Sequence, residues 1–408
     1  MNILLSAYSC RPHSSSEPGI GWNWALGLAQ KHTVFVLTRT KYKDQILREL
    51  ESKNLPHLHF VFLEAGNVFL RHKKTTAGTL LYYYLWQIAA YFKARRICRT
   101  LPIDLVHHVT FVNSWLPSFL ALLPVPFIWG PIAQHPPLPG CLLGPLPIKY
   151  RILNCFTVAF KWAFRKFDPF YHLTLRRARA ILLPHEFCKN LFPQYVHPRI
   201  RIMPSIFYEK NNSYPFPLAT DKTENQPVRI VTAGRLESWK GFHLVLDTFA
   251  EFNRTCPGST LTIIGRGRLY PWLCKHIEQL GLQNCVTLVP LLPRREFFQQ
   301  LSRHDLFLYP NIGMNPIVLL DANSVNLPVV CLKFPGTYEH IENQNNVMVE
   351  VAPDYSDTIK NLLRGIERAL ACPADHQRRI SPDQLDRNRK ILALQKIYQQ
   401  VISPAKPV

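Results

Sequence analysis

Short apolar runs alternate with longer amphipathic segments along almost the whole chain. Asn2–Ala7, Thr33–Thr38, Leu58–Leu63, Asp104–His107, Val125–Trp129, Ala180–Leu183 and Ile200–Met203 form a first series. Val228–Ala233, Leu261–Gly265, Val286–Val289, Leu306–Tyr309 and Pro328–Leu332 form a second. The runs are apolar at consecutive positions, as in strands buried on both faces. Helical periodicity between them predicts βαβ units and parallel sheets. Between the series, Glu209–Pro227 is rich in Asn, Ser, Pro and Thr and reads as a linker. The pattern therefore predicts an α/β chain of two doubly wound domains, over 1–208 and 228–387, with a cleft between them. Ligands in such sheets sit at the carboxyl ends of the strands.

Composition narrows the class. The 408 residues are 47% apolar, which excludes disordered and fibrous chains. The net charge is +21, which suggests an anionic partner: nucleic acid, nucleotide or membrane surface. Ten scattered cysteines form no C-x-x-C pair, so reduced thiols and a cytoplasmic location are expected. The run from Met1 to Ala7 is too short for a signal peptide. No apolar stretch reaches the roughly 18 residues of a membrane-spanning helix.

Three segments carry candidate chemistry. After the first strand, Gly19 and Gly21 precede a helical pattern; there the backbone could approach a phosphate at a helix start. The bland alternative is a turn that needs glycine conformations. In the second series, a strand ends at Gly234, and Arg235, Lys240 and Gly241 follow before the next helix. Two cations beside a helix N-terminus suit a diphosphate, although most Lys and Arg are simply solvated. Gly265-Arg-Gly267 is another strand tip. Finally, the segment from Asp305 to Leu332 runs strand, loop, helix, strand, with Asp321 in the helix. That carboxylate could accept from a ribose diol, or satisfy local backbone donors.

Together these segments resemble the GT-B glycosyltransferases of family 4, the group 1 retaining transferases. The resemblance rests on Ser16 through Trp24, Asp104 through Thr110, Trp129-Gly-Pro131, Gly234 through Gly241, and Pro310 through Val330. It implies a GT-B fold of two Rossmann-like domains, a nucleotide-diphosphate sugar donor held mainly by the second, and no further cofactor. It also implies a final helix, over 388–408, crossing back to the first domain. Arg235 and Lys240 would be the donor-diphosphate pair, and Gly19 and Gly21 the loop backing it. Asp321 would be the second acid of the family's E-x7-E motif, shortened by one methylene. The first acid falls at Gly313, which has no carboxylate; Asn311 and Asn315 are the neutral groups near enough to substitute. Gly234, Gly265 and Pro316 complete the implied donor-binding set. His107 or His108 would be the active-site histidine, and strand alternation favours His108. No Asp-x-Asp occurs, so a metal-independent site is expected. The implied reaction is retaining transfer of a sugar to a glycan or lipid-linked acceptor in surface or exopolysaccharide synthesis. The missing acid leaves open a rival reading, a catalytically reduced paralogue acting as an assembly subunit.

The charge has an address. Fifteen Lys and Arg lie between Gly66 and Ala180 against Asp104 and Asp168, leaving +13 in that stretch. Aromatic residues are interleaved, and positions 148, 152, 156, 160, 163 and 167 form a helical apolar stripe. A basic amphipathic helix of this kind suits an anionic membrane interface; an ordinary core-facing helix has the same pattern. Peripheral attachment through residues 71–179, on the inner face of the cytoplasmic membrane, is the resulting expectation. No nucleic-acid partner is expected, because no RNP, KH or zinc-finger pattern accompanies the charge.

Overall fold

The computed structural model describes residues 1–14, 17–66, 76–111, 113–132, 138–205, 227–310, 317–334, 346–371 and 387–403. They divide into two compact units, the first drawn from Met1–Gln134, Ala159–Glu209 and Asp383–Val408, the second from His135–Val158 and Lys210–Pro382.

The first unit holds a seven-stranded sheet in the order β3-β2-β1-β4-β5-β6-β7. Its strands are β1 (Asn2–Ala7), β2 (Thr33–Thr38), β3 (Leu58–Phe62), β4 (Leu105–Thr110), β5 (Phe127–Trp129), β6 (Ala178–Leu183) and β7 (Ile200–Ile202). Every pairing is parallel. All six residues of β4 are buried, His107, His108 and Thr110 among them. Its helices are α1 (Glu17–Ala29), α2 (Lys43–Ser52), α3 (Thr76–Thr100), part of α4 (Ile148–Phe167) and α5 (Pro169–Arg177). Asp168 caps α5, accepting from the backbone N–H of Phe170 and Tyr171, with Pro169 in the first turn.

The second unit holds a six-stranded parallel sheet in the order β10-β9-β8-β11-β12-β13. These strands are β8 (Arg229–Ala233), β9 (Thr260–Ile264), β10 (Val286–Val289), β11 (Leu306–Tyr309), β12 (Val329–Leu332) and β13 (Asn346–Val349). Around them lie α6 (Phe242–Thr255), α7 (Tyr270–Gln279), α8 (Arg294–Ser302), α9 (Ile317–Ser324) and α10 (Tyr355–Ala371).

Two boundaries depart from a simple division at the linker. Residues 135–158 group with the second unit, not the first. The reason is packing: Leu138, Leu142, Leu143 and Leu146 are buried in its core. The His243 Nε2–H donates to the Leu142 carbonyl at 2.7 Å. Helix α4 thus starts in one unit and ends in the other. Apart from Pro227, the linker span Glu209–Pro227 lies outside the described residues.

The last helix, α11 (Arg387–Ile402), packs into the first unit. Ile391, Leu394, Tyr398 and Val401 are buried in its core, each side chain contributing about 1.5–3 kcal/mol. A Cβ on Gly27 of α1 would lie 2.8 Å from Ile391 Cδ1, so this glycine lets α11 approach closely. Among the described residues no helix is long and apolar enough to cross a membrane.

Candidate functional site

In the second unit, β8 ends at Ala233 and the backbone turns through Gly234 with φ +155°. Arg235 follows, exposed, and Leu236 is buried. A short 3-10 turn, Ser238–Lys240, leads to Gly241, whose φ of +76° is left-handed. Helix α6 starts at Phe242. A Cβ at Gly241 would lie 2.3 Å from the Pro310 carbonyl oxygen, so both conformation and space require glycine. Gly265 at the tip of β9 is equally constrained, because a Cβ there would lie 2.0 Å from the Gly234 carbonyl oxygen. The Leu236 N–H donates to the Arg266 carbonyl at 3.0 Å and locks the two tips together.

This framework presents Arg235 and Lys240 against one ring, that of Trp239. The Arg235 guanidinium carbon is 5.8 Å from the Trp239 centroid and the Lys240 ammonium 4.6 Å from it. Among the described residues neither cation has a carboxylate partner. Burial, then the neighbouring Arg235 charge, pushes the Lys240 ammonium down to about 7. A group of this kind regains its proton when an anion binds beside it. Exposed Arg266 and Arg268 follow at the tip of β9.

Asp321 is 2% exposed on α9. Its two carboxylate oxygens accept from Arg294, at 2.9 and 3.5 Å. Burial raises its pKa, and the guanidinium opposes that rise. Any ribose diol reaching Asp321 must share or displace Arg294. The sequence reading had offered only a ribose or local backbone donors as partners. Asn311, Gly313, Asn315 and Pro316 lie outside the described residues.

In the first unit, Gly19 and Gly21 are buried within α1. A Cβ at Gly19 would lie 1.7 Å from the Ser14 carbonyl oxygen, and one at Gly21 2.3 Å from that of Ser9. Both glycines sit inside the helix and accommodate the chain's own preceding loop; neither has positive φ. The expected loop glycines are thus helix glycines, packed on the loop.

His107 and His108 are fully enclosed, at 0% and 1% exposure. Alternation separates them as expected, yet neither ring reaches solvent. His107 Nε2–H donates to the Gly130 carbonyl at 2.8 Å, and the Tyr398 hydroxyl donates to Nδ1 at 2.6 Å. His108 Nε2–H faces the Thr110 carbonyl and the Tyr83 hydroxyl, each at 3.2 Å. Its Nδ1 accepts from Ser118 at 2.8 Å. Burial pushes His107 down to about 3 and His108 to about 4, so both are neutral at pH 7. The register of β1 against β4 shifts beside them, from Ser6↔His108 to Ala7↔Thr110. Phe111, the next residue, has φ +59°, and Glu17 accepts from its N–H at 2.5 Å.

Pattern reading missed a cluster at this carboxyl edge. Tyr8, Arg39, Glu64 and Phe111 lie just beyond the ends of β1, β2, β3 and β4. The Arg39 guanidinium lies over the rings of Tyr8 and Tyr82, at 5.2 and 5.3 Å, and pairs with Glu64 at 3.3 Å. The Tyr82 hydroxyl donates to Glu64. The signal was available: these are polar or aromatic residues that follow apolar runs. Among the described residues no group of three or more His, Cys, Asp or Glu is placed to hold a metal ion.

The second unit's geometry agrees with a sequence match. Residues 219–384 fit the family model of the glycosyl transferases group 1. Over this segment the chain is similar to the group 1 glycosyl transferases. Among curated relatives, the amylovoran biosynthesis glycosyltransferase AmsK of Erwinia amylovora is 32% identical over 137 residues, covering 32% of this chain and 33% of that one. The chain spans about a third of the length of the curated relatives it matches. Whole-chain likeness comes from solved structures. Anabaena Alr3699/HepE, in complex with UDP and glucose, superposes with a TM-score of 0.61 and 15% identity over 98% of this chain and 100% of that one. Sucrose-phosphate synthase from Thermosynechococcus elongatus gives 0.64, with 15% identity over 99% and 100%. The fold is that of the GT-B group 1 glycosyltransferases: two Rossmann-like α/β units.

Proposed function

We propose that the protein is a retaining, metal-independent glycosyltransferase of family 4, moving a sugar from a nucleotide-diphosphate donor to a glycan or lipid-linked acceptor in surface or exopolysaccharide synthesis. One observation carries this reading. Arg235 and Lys240 lie against the Trp239 ring at the carboxyl end of β8, before the N-terminus of α6, with no carboxylate partner among the described residues. Charge develops on a departing diphosphate as its bond to the sugar breaks. Fixed cations and a helix dipole stabilise that state more than the ground state. Arg235 supplies a forked donor and Lys240 a point charge. The first unit is assigned the acceptor, with His108 a neutral group that fixes the polar network at its carboxyl edge. Relatives and structural neighbours named for polysaccharide glycosyltransfer and for complexes with UDP and UDP-glucose support the same reading.

A panel of nucleotide sugars read by thermal shift tests it. At 100 times its dissociation constant, the true donor stabilises the protein by about 2.7 kcal/mol. Arg235→Ala is expected to abolish that shift. Shifts absent for every donor would instead favour a non-catalytic assembly subunit.

The same reading places the protein on an anionic membrane of the cytoplasm. None of the residues of α4 is buried. Phe156 is 66% exposed, Trp162 52% and Phe167 67%, among Lys149, Arg151, Arg165 and Lys166. Helix α3 adds exposed Leu81 and Phe92 beside Lys93, Arg95 and Arg96. Exposed aromatics flanked by cations match an anionic headgroup layer. Residues 71–75 of the basic stretch lie outside the described residues. Flotation with anionic vesicles is expected, but not with neutral ones, and Phe156→Ser with Trp162→Ser is expected to weaken it severalfold. Equal flotation with both lipids removes this part of the reading.

A further inference from the structure

A second basic site lies in the first unit, at the opposite edge of its sheet from the histidines. An open pocket of about 370 Å³ sits beside the amino-terminal ends of β6 and β7 and the last turn of α11. Five arginines line it: Arg176, Arg177, Arg179, Arg199 and Arg201. Among the described residues the remaining lining contains no carboxylate; its polar side chains are Gln400 and Ser403.

At several other places on this protein, cations meet acids. Arg229 pairs with Asp305, Arg254 with Glu251, Lys333 with Glu350 and Lys360 with Asp357. In the pocket, backbone carbonyls hold three of the five guanidiniums instead. Arg179 Nη1 donates to the Val401 carbonyl at 2.7 Å. Arg199 Nη1 donates to the carbonyls of Arg176 and Ala178, at 3.1 and 2.5 Å. Arg201 Nη1 donates to those of Pro198 and Ile200, at 2.7 and 2.8 Å. Each guanidinium carries five N–H donors, so one anchored nitrogen leaves most of the fork available. The carbonyls orient the side chains without cancelling their charge. Five like charges on the lining of one concave surface repel one another, and an anion among them relieves that repulsion. Planar forks in such an array match phosphate oxygens bidentately.

We infer that this arginine pocket binds a phosphate-rich anion, either a soluble polyphosphate or a phosphomonoester lipid headgroup. It uses neither Arg235 nor Lys240 and is independent of the donor assignment.

The test uses the full chain carrying Arg235→Gln and Lys240→Gln, which removes the donor cations. In one arm, inorganic pyrophosphate is titrated calorimetrically at fixed ionic strength. In the other, co-sedimentation is measured with phosphatidylcholine vesicles with and without phosphatidic acid. Adding Arg176→Gln, Arg177→Gln and Arg201→Gln is expected to weaken binding tenfold or more in at least one arm. The triple Lys93→Gln, Arg95→Gln and Arg96→Gln on α3 removes the same charge elsewhere and is expected to leave the pyrophosphate arm unchanged. Loss in the pyrophosphate arm alone identifies a soluble anion; loss in the phosphatidic acid arm alone identifies a lipid. Because Arg201 also holds backbone carbonyls, Arg176→Gln with Arg177→Gln is measured separately, and its unfolding midpoint is expected to match the parent's. The proposal is overturned if the parent binds neither probe, if the pocket triple binds both as the parent does, or if the α3 triple weakens pyrophosphate equally.

Discussion

At the carboxyl end of β4, every ring nitrogen of His107 and His108 has a partner inside the protein. At the carboxyl end of β8, Arg235 and Lys240 stand against a tryptophan ring with no carboxylate partner among the described residues. Both ends belong to parallel sheets with the same winding, yet one is closed and neutral and the other open and cationic. A closed network can be altered only by disturbing the fold. An open one responds to a ligand. The second end is therefore the better candidate for binding charge, and the first for fixing geometry.

Three measurements probe that contrast. The largest effect is expected where glycine builds the open end. Gly265→Val drives a side chain into the Gly234 carbonyl and should cost about 3 kcal/mol or more in denaturant unfolding. Gly140→Ala, in the same unit with nothing within 4 Å of the new Cβ, should stay within about 0.5 kcal/mol. If the two cost the same, the tips of β8 and β9 are not locked as described. Next comes the closed end. Tyr398→Phe leaves buried His107 Nδ1 without its donor and should cost about 1–3 kcal/mol. An unchanged midpoint would mean that this hydrogen bond contributes nothing.

The smallest effect is a pH dependence. Lys240 carries its proton below about 7 and loses it above, because burial and Arg235 favour the neutral form. An anion favours the charged form. Affinity for a nucleoside diphosphate should therefore fall, by up to roughly tenfold, as pH rises from 6.5 to 8.5. Lys240→Arg keeps its charge throughout and should flatten the profile. A profile that keeps its slope in the variant assigns the titration to another group.

Much of the fold was legible because its strands are buried on both faces. β1, β2, β10 and β11 fall on the runs read from the sequence, end for end. β6 begins two residues earlier than its apolar run, at Ala178, because exposed Arg179 interrupts the pattern. β13, Asn346–Val349, was missed: it is short, and only Val349 is buried. The glycine-built tips and the cation pair of the second unit were also legible, since conformation and charge are written in residue type. The pairing of Asp321 with Arg294 was not, for the two are 27 positions apart and meet only through packing of α8 and α9. Nor was the aromatic stripe's fate: periodicity describes a face, and burial decides what covers it. In α4 no residue of the stripe is buried among the described residues, although Phe160 packs on Trp115.

The position of α11 has a further consequence, for synthesis. The first unit's sheet is complete at Ile202, but its core and the partner of His107 include residues from 391 to 401. Between them the ribosome must make the larger part of the second unit, Lys210–Pro382. At ordinary elongation rates that interval is on the order of tens of seconds. During it, the outer face of α1 and a buried histidine lack their final cover. The first unit thus completes its core only after the younger part of the second unit has been made.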